Sequence, residues 1–141
     1  MKQALSRGKL WVVKIGTSTL TAENGQFSFE RLEKIAEQVV FLLKEGIRVI
    51  MVSSGAIALG METLKLAKRP KKLPELQACA AIGQGKLMKA YESAFSAHGF
   101  HAAQILLTRD CFHERVLYIN AKNTLDALIK IKSVPIVNEN D

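Results

Sequence analysis

The sequence predicts an α/β fold, a parallel sheet with helices on both faces. Three observations lead there. Strand-like and helix-like hydrophobic patterns alternate along the chain, as in parallel sheets joined by right-handed crossovers. The strand-like runs are continuously apolar, as strands covered on both faces must be. The 141 residues, 48% hydrophobic and 23% charged, suffice for the core of one domain but are short for two.

The elements follow in order. Leu10 to Ile15 (LWVVKI) reads as a buried strand that ends at Gly16, and residues 16–28 as a polar loop rich in Gly and Thr. Ser28 is an N-cap for a helix with the apolar stripe Leu32, Ile35, Val39, Leu42 and Leu43, and Gly46 stops it. Ile47 to Ser53 is a second strand, and Ser54-Gly55-Ala56 turns directly into a second helix reaching about Ala67. Pro70 and the basic segment 68–72 break the chain before Pro74 opens a third helix, with Leu76, Ala80, Gly83, Leu87, Tyr91 and Ala94 along one side. His101 to Leu107 is a third strand. A fourth helix spans about Asn120 to Ile131, with Leu125, Leu128 and Ile129 inward, and Val134 to Val137 is a last short strand. The sequence ends on a polar loop just after that strand, where ligands bind in open α/β sheets, so it reads as half of a larger domain.

Composition narrows the function classes. Mean hydropathy is +0.09 and the pI about 9.6, which excludes wholesale disorder and a disulfide-stapled mini-protein. No apolar run approaches a membrane span, and the N-terminus lacks a secretory pattern, so a soluble cytoplasmic chain is expected. The net charge of +7 is compatible with nucleic acid or an anionic ligand. The basic cluster Lys65, Lys68, Arg69, Lys71 and Lys72 has no interleaved aromatics and reads as a solvated loop. Cys79 and Cys111 match no metal or redox spacing and are expected reduced and buried. His98, His101 and His113 form no ligand pattern, so no metal site is expected from them.

Three polar clusters fall at carboxyl ends of strands and can converge on one crevice. The first is Lys14 to Ser18. A lysine in an apolar strand needs an anion to offset its burial, unless it snorkels to solvent. Gly16, Thr17 and Ser18 offer backbone N–H groups and hydroxyls to a phosphate, or make an ordinary turn. The second is Ser53 to Ala56, where small residues at a helix N-terminus favour an anion, or Ser54 is a plain cap. The third is Asn138-Glu139-Asn140-Asp141. An acidic loop beside an anion site points to a zwitterionic ligand, with Asp141 for an ammonium and the helix N-terminus for a carboxylate. No Walker A loop or nucleophile elbow occurs. Gly83-Gln84-Gly85 falls inside a helical pattern and reads as close helix packing.

WVVKIGTSTL (11–20), MVSSGAIALG (51–60), LPELQACAAIGQGKLM (73–88), AQILLTRDCF (103–112), NAKNTLDALI (120–129) and VPIVNEND (134–141) together resemble the glutamate 5-kinases, a branch of the amino-acid kinase family. The similarity is in register from about residue 9 to the end. The resemblance implies the three-layer α/β/α fold of that family and transfer of the γ-phosphoryl of ATP to the side-chain carboxylate of L-glutamate, the first step of proline biosynthesis. It implies Lys14 at the transferring phosphoryl group, with Gly16 and Thr17 in the same nucleotide cradle. Ser54, Gly55, Ala56, Asn138 and Asp141 correspond to substrate-binding positions, and Mg²⁺ accompanies ATP. The lysines of 65–72 receive no role.

By the same resemblance, residues 1–141 form the N-terminal, substrate-binding half of a kinase domain. The nucleotide-binding half and any C-terminal accessory domain are absent, an open sheet edge is expected, and the complete enzyme is expected to be a homo-oligomer. Neither nucleic acid nor a membrane is an expected partner. Uridylate, acetylglutamate and aspartate kinases are weaker matches, since a Gly-rich second loop replaces Ser53-Ser54-Gly55-Ala56 in them. A catalytically incomplete fragment that binds glutamate, or a sensor of glutamate or proline, remains an alternative of a different class.

Overall fold

The computed structural model describes residues 9–107 and 110–138. Four parallel strands, β1 (Leu10–Ile15), β2 (Arg48–Ser53), β3 (His101–Ile105) and β4 (Ser133–Asn138), lie in the order β1-β2-β4-β3. Helices α1 (Thr17–Leu20), α2 (Phe29–Lys44), α3 (Ala56–Thr63), α4 (Leu73–Ser96), α5 (Asp110–His113) and α6 (Arg115–Lys130) connect them.

Crossover handedness explains the layering. The chain moves in one direction across the sheet from β1 to β2 to β3, so α2, α3 and α4 share one face. It then reverses to insert β4 between β2 and β3. A right-handed crossover in the reverse direction puts α5 and α6 on the opposite face. The predicted parallel sheet with helices on both faces is therefore present.

The core lies on the α2–α4 face. Val49, Met51, Val134 and Ile136 meet Leu32, Leu87, Tyr91 and Phe95 there, all essentially inaccessible. Ser28 caps α2 as expected, its side chain accepting from the Arg31 N–H at 3.3 Å. The buried stripe runs through Leu32, Ala36, Val39 and Val40, while Ile35, Leu42 and Leu43 flank it half-buried. Gly46, at φ +83°, ends the helix: its N–H reaches Leu43 O and that of Ile47 reaches Leu42 O, a Schellman closure.

Several expectations need correction. Residues 16–28 are not simply loop. Thr17–Leu20 is a helical turn, Thr21 and Phe27 form an antiparallel bridge, and Leu20 and Phe27 are buried. The Phe27 N–H donates to Glu62 Oε2 at 3.0 Å, tying this segment to α3. The second helix stops at Thr63 instead of Ala67, where Lys65 turns to φ +54°. Helix α6 begins at Arg115, earlier than expected, and α5 precedes it. Leu125, Leu128 and Ile129 are only half-buried, since α6 has no fully buried residue. Strand β1 is not a buried strand throughout: Val12 is 65% exposed. The reversal that places α6 over β4 leaves the same face of β1 uncovered. Cys79 is buried as expected, but Cys111 is only partly so.

Candidate functional site

A cleft of about 350 Å³ opens at the carboxyl ends of the strands. Its floor is the turn from β2 into α3, its wall is α4, and the end of β4 closes one side. Thr17, Ser54, Gly55, Ala56 and Asn138 all line it. Five of the positions singled out in the sequence, from three separate segments, thus converge on one crevice.

Local structure places each of them. Ser54 is pinned beside the end of β1, its N–H donating to Ile15 O at 2.9 Å. Gly55 is the N-cap of α3 at φ +107°, a left-handed conformation that L side chains rarely adopt. An added Cβ there would also press on Leu20 Cδ1 at 3.3 Å. The first residues of α3, Ala56, Ile57 and Ala58, line the cleft. The backbone N–H groups of a first helical turn have no intrahelical acceptor, so this end of α3 is suited to a carboxylate or phosphate.

The closeness of α3 and α4 depends on two glycines. A Cβ on Gly60 would overlap the Cys79 carbonyl, and one on Gly83 would overlap the carbonyl oxygen of Ala56. Gly83 is therefore a packing residue, as its helical context predicts, and it holds α4 against Ala56, the first residue of α3.

Other cleft residues went unassigned in the sequence. Gln77 and Gln84 come from α4, and Arg69 from the basic loop. The two glutamines stand at i and i+7, on one helix face, the signal that polar residues there face a common space. Gln84 Nε2 donates to Gln104 Oε1 at 3.1 Å, while Gln84 Oε1 is buried with no hydrogen-bond partner among the described residues. It offers an acceptor to a ligand N–H or ammonium. Arg69 adds a positive charge, and no acidic side chain lines the described cleft.

Lys14 and Gly16 are outside this lining. Lys14 is exposed, so no burial cost requires an anion beside it; snorkelling from the strand end describes its position. By the two-residue period of β1 it shares a face with Leu10 and Val12. The space beside Gly16 is open, since an added Cβ would meet nothing within 4 Å. The Gly16 backbone is therefore open to close approach. Asp141 lies outside the described residues. Among the described residues no three His, Cys, Asp or Glu side chains cluster as metal ligands. No described helix is long and apolar enough to cross a membrane.

Comparison with known proteins agrees with this architecture. The family model described as the amino acid kinase family matches residues 9–141. Glutamate 5-kinase 2 of Bacillus subtilis (strain 168) is 51% identical over 130 residues, 92% of this chain and 35% of that protein. Glutamate 5-kinase of Pseudomonas fluorescens (strain Pf0-1) is 45% identical over 141 residues, 100% of this chain and 38% of that protein. The chain thus spans a little over a third of the length of these curated relatives. Among solved structures, a carbamate kinase from Giardia superposes with a TM-score of 0.58 at 16% identity, covering 94% of this chain and 59% of that one. An aspartate kinase from Synechocystis gives 0.53 at 12% identity, covering 92% and 21%. At such identities the likeness is one of fold.

Proposed function

The chain belongs to the amino acid kinase family, and from that premise we propose that it is the substrate-binding half of a glutamate 5-kinase. In this reading it takes part in transferring the γ-phosphoryl of ATP to the side-chain carboxylate of L-glutamate. The observation that carries the reading is the cleft, in which Thr17, Ser54, Gly55, Ala56 and Asn138 meet at the N-terminus of α3. Identity of 51% to a relative named glutamate 5-kinase 2 supports the choice of substrate.

L-Glutamate lies in the cleft with a carboxylate on the N–H groups that open α3. Asn138, at the end of β4, is assigned to the other end of the substrate, and Asp141 is assigned to its ammonium group. A side-chain carboxylate oxygen attacks the γ-phosphorus, the bond to the β,γ-bridging oxygen breaks, and ADP leaves. Lys14, at the end of β1, supplies positive charge to the transferring phosphoryl oxygens. Gly16 and Thr17 offer backbone N–H groups beside it. Positioning and electrostatic stabilisation account for most of phosphoryl-transfer catalysis. Mg²⁺ would accompany ATP and neutralise the charge of its phosphates.

The test is a hydroxylamine trap for acyl phosphate with the chain, L-glutamate, ATP and Mg²⁺. Hydroxamate that accumulates in the wild type and is lost in Lys14→Ala is the expected result. Lys14 and Gly16 stand outside the cleft lining, which favours a second reading, a glutamate-binding unit that is catalytically incomplete. Calorimetric binding of L-glutamate without hydroxamate selects that reading, and absence of both rejects the assignment of the cleft.

A further inference from the structure

Beneath the cleft lies a buried pair of hydroxyls that line none of it. Ser53, the last residue of β2, is 1% exposed, and Tyr91 in α4 is 0% exposed. Ser53 Oγ donates to the carbonyl oxygen of Ser54 at 3.0 Å and stands 2.8 Å from Tyr91 Oη. A serine hydroxyl has one proton. That proton is used on Ser54, so Tyr91 must be the donor to Ser53. Burial pushes the Tyr91 phenol up to about 12, against the opposing effect of its bond to Ser53, so the proton stays in place at neutral pH. The order of donation is therefore Tyr91 to Ser53 to the Ser54 carbonyl.

The consequence is geometric. Ser54 is held at its N–H by Ile15 O and at its carbonyl by Ser53. The peptide from Ser54 to Gly55 is trans, so its C=O and N–H point in opposite directions. With the carbonyl drawn towards buried Ser53, the Gly55 N–H is turned the other way, on the side where Gly55 lines the cleft. Packing alone does not call for the Tyr91 hydroxyl. A phenylalanine ring would fill the same place and keep the stacking on Phe95, at 6.2 Å between ring centres. An unpaired buried hydroxyl is costly, so its presence here is accounted for by the bond it makes.

We infer that Tyr91 is a positioning residue for the cleft: acting through Ser53, it sets the Ser54–Gly55 peptide so that the Gly55 N–H faces the bound carboxylate. The ligand in this inference rests on the reading of the cleft as the L-glutamate site.

The full chain, labelled with ¹⁵N, is titrated with L-glutamate by calorimetry, and its amide resonances are followed by NMR. In Tyr91→Phe the circular dichroism is expected to be retained, the affinity for L-glutamate to fall about fivefold, and the Gly55 amide resonance to shift while those of α2 stay in place. Ser53→Ala is expected to weaken binding at least as much. Adding Tyr91→Phe to Ser53→Ala brings no further loss, because Tyr91 acts through Ser53; additive losses would mean that the Tyr91 hydroxyl acts by a route other than Ser53, and overturn the inference. An unmoved Gly55 resonance in Tyr91→Phe overturns it as well. If Tyr91→Phe fails to fold, Ser53→Ala supplies the same amide readout. If the wild-type chain does not bind L-glutamate, the functional reading falls separately, and the Gly55 resonance still decides the role of Tyr91.

Discussion

At the scale of single residues, two titratable groups make pH-dependent predictions of opposite sign. The Tyr91 phenol is raised from 10.0 to about 12 by burial. A group raised in the folded state contributes stability that is complete below its unfolded value and lost as pH rises through the folded one. Wild-type chain is therefore expected to lose about 2 kcal/mol between pH 10 and pH 12 that Tyr91→Phe does not lose. Urea titrations across that interval measure the difference. Glu92 is the reverse case. Its bond with His101 Nδ1 at 3.0 Å, and then the N–H of Ala102 at 2.7 Å, hold the carboxyl below its usual 4.5. That contribution is present above 4.5 and lost as pH falls through the depressed value. It is small, because the side chain is 44% exposed and screened by water. Thermal melts at falling pH should show a shallower decline in Glu92→Gln, which can still accept from Ala102 but does not titrate.

At the scale of elements, the α3–α4 contact is the joint on which the cleft depends. Gly60 and Gly83 let the two backbones meet where any Cβ would strike a carbonyl. Gly83→Ala is expected to force the helices apart at a cost of about 3 kcal/mol, read as a lower midpoint in urea denaturation. The displaced atom is the carbonyl of Ala56, so L-glutamate affinity should fall with it. Gly85→Ala is the control, since an added Cβ there meets nothing within 4 Å. Much of this level was legible beforehand. The Ser28 cap, the Gly46 stop and the Pro74 start are local rules of backbone hydrogen bonding, and each stands where the sequence predicts it. The turn at Thr17–Leu20 was not legible: its four residues carry no period, and its buried member, Leu20, packs beside Gly55, distant in sequence.

At the scale of the molecule, one face of the sheet is half covered. Helix α6 lies over β4, while Leu10 and Val12 on β1 stand 46% and 65% exposed. Leu106, Phe112 and Val116 add further exposed apolar surface around α5 and α6, at 67–70%. Surface of this kind promotes association, and the net charge of +7 opposes it until salt screens the repulsion. Static light scattering of the wild type should rise with concentration in high salt. Val12→Lys and Val116→Lys should suppress that rise with little change in thermal midpoint, because neither side chain is in the core.

Alternating hydrophobic period, glycine and proline placement and short-range capping determined the parallel α/β class, the strands and the main helices, because these depend on residues a few positions apart. The same local reading put Thr17, Ser54, Gly55, Ala56 and Asn138 at strand ends. That they share one cleft, that Gln77, Gln84 and Arg69 join them, and that Lys14 is exposed rather than buried were decided only in three dimensions. The reason is the reversal at β4: it brings Asn138 beside the β2–α3 turn and puts α6 on the far face, leaving the apolar residues of β1 open to water. No pattern along β1 itself carries that information, since a strand's burial is set by whatever the rest of the chain lays upon it.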